Sequence, residues 1–287
     1  MTADKLDMFR ERIRLVDDAL GARLPSAATA PEKVHEAMRY AVLSGGKRLR
    51  PVALLAAAEA LGRRPEAFFE AACAVELAHT ASLILDDLPC MDNAALRRGR
   101  PCTHKEYGES TAILAAIALL SESFRLVARN ACTLGNPENA AAAVALLDDA
   151  LGPRGLVGGQ ELDLQLTGKD ASLETVMRVH AQKAGALFVA AVRLPAVLAG
   201  ADDDTGERLA RFAAPVGLAF QITDDLIDTA DPSEDAGKCT FVRLLGAEGA
   251  QSRVADLIDE AISAISPFGE GAEGLRQLAS YVRNRQV

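Results

Sequence analysis

The chain has 287 residues, a net charge of −9 and an apolar fraction of 49%. This suits a globular protein with a sizeable core and speaks against a chain-wide nucleic-acid role, which needs a net basic face. Aromatic residues make up only 4%, tryptophan is absent and alanine is abundant, so composition leans toward an all-α fold.

The five cysteines, Cys73, Cys90, Cys102, Cys132 and Cys239, form no CxxC pair and no Cys/His ligand spacing. They read as free thiols of a reducing compartment, and a cytoplasmic location is expected. The N-terminal stretch MTADKLDMFRERIR is charged and lacks the apolar core of a secretory signal. No uncharged apolar run reaches the ~18 residues of a membrane span. The longest candidate, Ala186 to Ala201, is interrupted by Arg193 and Pro195.

Taken in chain order, the predicted elements are all helical. Pro31 opens a helix that runs toward Leu43 and stops at Gly45-Gly46. Pro51 opens the next, ending near Gly62, the usual asymmetry of proline at the start and glycine at the end. Helical periodicity continues over 65–87, 108–130, 137–151, 172–200, 204–229, 247–265 and 270–285. No stretch sustains apolar/polar alternation, so no sheet is expected. Segments 230–238 and 266–273, rich in Gly, Pro and Asp or Glu, read as mobile loops. No linker divides the chain, and 1–287 reads as a single all-α domain.

Two acidic clusters stand out. In the first, an apolar helix from His79 ends in Asp86-Asp87, Pro89 breaks it, and Asp92 follows. A carboxylate pair at a helix C-terminus faces the negative end of the macrodipole. A hard divalent cation such as Mg²⁺ would compensate, although a solvated acidic loop accounts for the segment equally well on its own. In the second, Asp224 and Asp228 stand four apart on one helix face, with Asp225 between them and Phe220 and Gln221 about one turn earlier. Like charges at that spacing again ask for a cation.

Basic clusters accompany them. Arg97-Arg98-Gly99-Arg100 follows the first, either as bidentate phosphate ligands or as surface partners of the carboxylates. Ser44-Gly45-Gly46-Lys47-Arg48-Leu49-Arg50-Pro51 sets three cations between two helices, where glycine lets the backbone approach a ligand. Lys183 sits in His180-Ala-Gln-Lys183-Ala184-Gly185, and alone it would be read as snorkelling.

Together, GGKRLRP (45–51), HTASLILDDLPCMDN (79–93), LRRGRP (96–101), GGQELDL (158–164), HAQKAGALF (180–188), FQITDDLID (220–228) and DAGKCT (235–240) resemble the trans-isoprenyl diphosphate synthases, the polyprenyl synthetase family. Each motif is weak or moderate alone; all seven in this order are specific. The wording is most similar to bacterial geranylgeranyl diphosphate synthases. The resemblance implies a single-domain helical bundle around a deep central cavity, a homodimer and three Mg²⁺ ions. It also implies head-to-tail condensation of isopentenyl diphosphate with an allylic diphosphate (dimethylallyl, geranyl or farnesyl).

Carried over by position, the resemblance implies that Asp86, Asp87, Asp92, Asp224 and Asp228 bind the metal. It further implies that Arg97, Lys183 and Lys238 hold the allylic diphosphate, that Lys47, Arg50, His79 and Arg98 hold isopentenyl diphosphate, and that Gln221 and the Lys183 carbonyl face the developing carbocation. Asp86, Asp87, Lys183, Gln221 and Asp224 are the expected catalytic set. Leu85, Ala94-Ala95 and Ala184 depart from the family's usual His, acidic pair and Thr.

Chain length is expected to follow from the small residues Ala81 and Ser82 below the first motif. They leave room for a twenty-carbon product, with Leu119, Leu120 and Phe124 as candidate floor residues; a farnesyl product is the alternative. A terpene cyclase is disfavoured by the second Asp motif, and a non-catalytic regulatory subunit by the presence of both Asp sets.

Overall fold

The structure, a computed structural model, describes residues 9–166, 171–228 and 240–285, apart from the Asp228 side chain. Its helices are α1 (Arg10–Arg23), α2 (Glu32–Val42), α3 (Leu49–Ala60), α4 (Phe69–Asp86), α5 (Thr103–Tyr107), α6 (Glu109–Thr133), α7 (Ala140–Leu151), α8 (Leu156–Leu166), α9 (Leu173–His180), α10 (Ala186–Ala199), α11 (Asp203–Asp228), α12 (Phe241–Ala264) and α13 (Glu273–Arg283). A π turn, Ala181–Gly185, joins α9 to α10, so the long helix expected over 172–200 is one path with a widened turn inside it.

The local signals account for the ends. Ser172 caps α9 by accepting from the Thr175 amide, and Thr240 caps α12 by accepting from the Arg243 amide. Gly62 and Gly200, at φ +67° and +68°, terminate α3 and α10 in the left-handed region that favours glycine. α12 extends to Phe241, but Gly246 is non-helical inside it, so regular helix begins where the periodicity placed it.

Helices α1, α5 and α8 lie outside the spans that periodicity predicts. So does a two-residue antiparallel pair, β1 (Leu96–Arg97) with β2 (Arg100–Pro101), which is too short to show alternation. The segment expected as a mobile loop at 266–273 is instead a 3-10 stretch, Ser266–Ala272, broken at Gly269. Arg276 ties it down by donating to the Gly269 carbonyl at 2.8 Å.

Burial falls into two apolar clusters that share α10. Leu187, Ala191, Leu194 and Leu198 pack with α2, α4, α6 and α7; Phe188, Val192 and Ala196 pack with α3, α11, α12 and α13. Apart from Arg193, which reaches Glu207, such a helix is apolar around its surface because protein packs on both sides of it. This corrects the expectation that no segment is long and apolar enough to span a membrane. By length and composition three are: Pro65–Asp86, Glu109–Thr133 and Leu173–Ala199. The apolar window of the first is 72% buried inside the protein and that of the third 56%, whereas that of α6 is only 39% buried.

Candidate active site

A cavity of about 670 Å³ opens between α3, α4, α8, the π turn, α10, α11 and α13. Its polar part is formed by Lys47, Arg50, His79, Asp86, Arg97, Arg98, Lys183, Gln221 and Asp224. Its apolar part is formed by Leu83, Leu156, Phe188, Val216, Leu278 and Val282. The fold thus draws on helices from both halves of the chain to put every one of those predicted polar residues on one void.

On α4 the two carboxylates diverge. Asp86, the last helical residue, faces the cavity. Burial and the neighbouring Asp92 raise its pKa, while Lys183 opposes them. The Asp92 amide donates to the Asp86 carbonyl at 2.9 Å, which folds the loop after Pro89 back and holds the exposed Asp92 close by. Asp87 differs from the expectation of a metal-facing carboxylate. It is 3% exposed, outside the cavity lining, and accepts from Arg97 Nη2 at 2.5 Å and Arg97 Nε at 3.1 Å. Cys102 also bonds to it, and burial followed by that contact pushes the thiol up to about 11. The physical reason is the helix end: one residue of rotation (~100°) turns Asp87 away from the face that carries Asp86.

Lys183 bridges the site. Its Nζ lies 2.6 Å from Asp163 and 3.9 Å from Asp86. Burial would lower its pKa, but Asp86 and Asp163 more than offset that, and it is held above its usual value as a cation. The π turn that presents Lys183 packs directly on α8 at Gly159. A Cβ there would sit 2.7 Å from Lys183 Cα, 2.8 Å from the Gln182 carbonyl carbon, and closer still to the Lys183 amide nitrogen. All are backbone atoms, so no side chain can yield. Arg50 Nη2 lies 3.5 Å from the Ala184 carbonyl of the same turn. Gln160, next to Gly159, lines the cavity with both amide atoms buried and without partners among the described residues.

The three cations between α2 and α3 take different parts. Arg48 is buried and structural, donating to Asp17 at 2.8 Å, Glu76 at 2.6 Å and the Val42 carbonyl at 2.6 Å. All three border the cavity, but Arg48 does so with its guanidinium already engaged. Gly46, at φ +140°, lets Arg98 lie across the turn. A Cβ would come within 2.7 Å of the Arg98 guanidinium, which also donates to the Gly45 carbonyl. His79 stands among these cations. Burial first, then Arg50 and Arg98, lower its pKa well below the usual value, so it is neutral.

On α11, Phe220, Gln221 and Asp224 face the cavity. Asp224 accepts from Arg285 at 2.6 Å and lies 3.8 Å from Lys47. Asp225 points elsewhere and caps α12, accepting from the Phe241 amide at 2.8 Å. The Asp228 side chain and Lys238 lie outside the described residues, as do segment 230–238 and Cys239.

Two residues of the site have no role in the sequence reading beyond membership of a motif. Gly159 and Asp163 belong to GGQELDL, where paired glycines inside a helix, each costing ~1 kcal/mol against alanine, signal a packing demand. Arg285 carried no signal, being one cation in a polar C-terminal stretch.

The floor of the cavity is placed differently from expectation. Ser82 and Leu83 line the cavity on α4. Ala81 and Leu119 are fully buried in the core, and Leu120 and Phe124 pack partly buried against it. None of these four lines the void; Leu156 on α8 and Phe188 on α10 do.

A polyprenyl synthetase family model matches residues 31–242. Geranylgeranyl diphosphate synthase of Pseudescherichia vulneris is 44% identical over 265 residues, covering 90% of this chain and 84% of that protein. The chloroplastic geranylgeranyl pyrophosphate synthase of Capsicum annuum is 43% identical over 267 residues, covering 89% and 72%. The crystal structure of an FPP/GFPP synthase from Zymomonas mobilis superposes with a TM-score of 0.89 at 36% identity, over 99% of this chain and 100% of that one. The motif order, the cavity and these likenesses agree: the chain belongs to the polyprenyl synthetase family.

Proposed function

We propose that the protein is a prenyltransferase that condenses isopentenyl diphosphate with an allylic diphosphate, and that its main product is geranylgeranyl diphosphate. The observation that carries this reading is the two-ended cavity. One end gathers cations and carboxylates for two diphosphates; the other is apolar and suits a prenyl tail. Relatives named geranylgeranyl synthases support the class and the length.

Magnesium fits the donor set. Asp86, Asp92 and Asp224 offer hard oxygens, and Asp86 carries a raised pKa that a cation would relieve. No group of three or more His, Cys, Asp or Glu forms a metal cluster among the described residues. Magnesium is typically held by one or two carboxylates together with substrate phosphates and water. Bound there, it would supply Lewis acidity toward the departing diphosphate.

The chain's own residues do the positioning. Lys183 and Arg97 hold the allylic diphosphate against Asp86. Lys47, Arg50, Arg98 and the neutral His79, as a hydrogen-bond donor, hold the second. Gln221 and the Lys183 carbonyl turn partial negative charge toward the carbon that becomes electron-poor, and Leu83, Leu156 and Phe188 keep water from it. Ser82 sets a small side chain where the growing tail passes α4, its hydroxyl already donating to the His79 carbonyl at 2.8 Å.

The homodimer is proposed on α6, where Ile113, Leu114 and Ile117 form an apolar run 39%, 54% and 56% exposed; sedimentation at two concentrations tests it. The cytoplasmic location is proposed from the free thiols Cys73, Cys90, Cys102 and Cys132; cell fractionation tests it.

The activity is tested by incubating the protein with Mg²⁺, labelled isopentenyl diphosphate and each allylic starter, then sizing the dephosphorylated products. A dominant twenty-carbon alcohol is expected. A fifteen-carbon stop keeps the class and refutes the length; no product with any starter refutes the class.

A further inference from the structure

Each described carboxylate of the two acidic motifs that faces the cavity already has a protein cation beside it: Lys183 for Asp86, and Lys47 with Arg285 for Asp224. Arg285 is the tightest of these. It follows α13 in the chain, its side chain is only 8% exposed, and its Nη2 donates to Asp224 Oδ1 at 2.6 Å. The guanidinium lies 4.4 Å from the Phe220 ring centroid, a desolvated stack that strengthens the hold. Its Nη1 is buried and has no hydrogen-bond partner among the described residues. A structural arginine this buried normally satisfies its donors; this one keeps a donor in reserve while it neutralises a carboxylate of the metal-binding motif.

We infer that Arg285 is the resident counterion of Asp224, which a divalent cation must displace before Asp224 can serve it. The inference rests on the metal-dependent reading of the site. Two cations cannot share one carboxylate oxygen at contact distance without repulsion, so the guanidinium and the metal compete. Between visits of the metal, the partly exposed Asp224 carboxylate stays paired with Arg285, with Lys47 close by.

The test uses Mn²⁺ binding to the substrate-free full chain, followed by electron paramagnetic resonance, for wild type, Arg285→Ala, Arg285→Gln, Asp224→Asn and the Asp224→Asn/Arg285→Ala pair. Circular dichroism melting establishes that each variant is folded. Both Arg285 variants are expected to bind Mn²⁺ about tenfold more tightly, the factor of one charge-assisted hydrogen bond lost to the competitor. In the Asp224→Asn background the gain should vanish. Unchanged or weaker Mn²⁺ binding in folded Arg285→Ala and Arg285→Gln overturns the inference and leaves Arg285 as a tether of the C-terminal end. The readout needs no turnover: tighter Mn²⁺ binding in a protein that makes no prenyl product supports the counterion while refuting the synthase.

Discussion

Gly159→Ala is the sharpest perturbation the structure offers. The new methyl would lie 2.7 Å from Lys183 Cα and 2.8 Å from the Gln182 carbonyl carbon. Ordinary contact begins near 3.4 Å, so α8 and the π turn must separate by about 1 Å. Overpacking of this kind costs about 1–3 kcal/mol, which in a chain of this size lowers the melting temperature by about 2–4 °C per kcal/mol. The larger effect is on chemistry, because the displaced segment carries Lys183, whose Nζ lies 2.6 Å from Asp163 and 3.9 Å from Asp86. A misplacement of about 1 Å costs about a hundredfold in rate. Steady-state kinetics with geranyl diphosphate should show kcat falling by about that factor, while KM for isopentenyl diphosphate, held by Lys47, Arg50 and Arg98, changes less than about twofold. A folded Gly159→Ala enzyme with wild-type kcat would refute the claim that this contact positions Lys183. A parallel rise in both KM values would show general disruption instead.

Other substitutions probe separate parts. Ser82→Phe should shift the dominant product from twenty to fifteen carbons with the class of reaction unchanged; an unaltered product would place the length limit away from α4. Asn130→Ala removes a fully buried amide that accepts from the Ala71 amide at 2.9 Å and donates to the Ala67 carbonyl at 2.8 Å. Urea unfolding should show a loss of about 2–3 kcal/mol, with kcat retained in the folded fraction; a loss of kcat without destabilisation would contradict a purely structural role. His79, and in the same direction His180, have folded pKa values below their ordinary 6.5, so the unfolded chain binds more protons in the window beneath 6.5. Their contribution to stability is present above that pH and is lost as pH falls through the window. Urea unfolding between about pH 5.5 and pH 7.5 should show that slope, and His79→Gln should flatten it; equal slopes would remove His79 as its source.

Much of the site was legible in the chain because its signals are local. Asp86 and Asp92 flank a proline, Gly45-Gly46 precedes a basic run, and Asp224 stands one turn after Phe220, so spacing alone puts each set on one face or one turn. Composition and periodicity likewise fixed the helical class and the span of most helices, since each follows from 3.6-residue repetition and from proline and glycine at the ends. Tertiary packing decided which member of each pair does what. Asp87 is turned into Arg97 while Asp86 meets the cavity, Asp225 caps α12 while Asp224 faces inward, and Arg48 spends its donors on Asp17, Glu76 and the Val42 carbonyl although it borders the void with Lys47 and Arg50. Adjacent residues of like type are indistinguishable in sequence but point about 100° apart on a helix. The cavity wall at Leu156 and Phe188, the Gly159 contact and the Arg285 counterion are each closed by residues far along the chain from the groups they meet, and no local pattern specifies which distant helix will lie there.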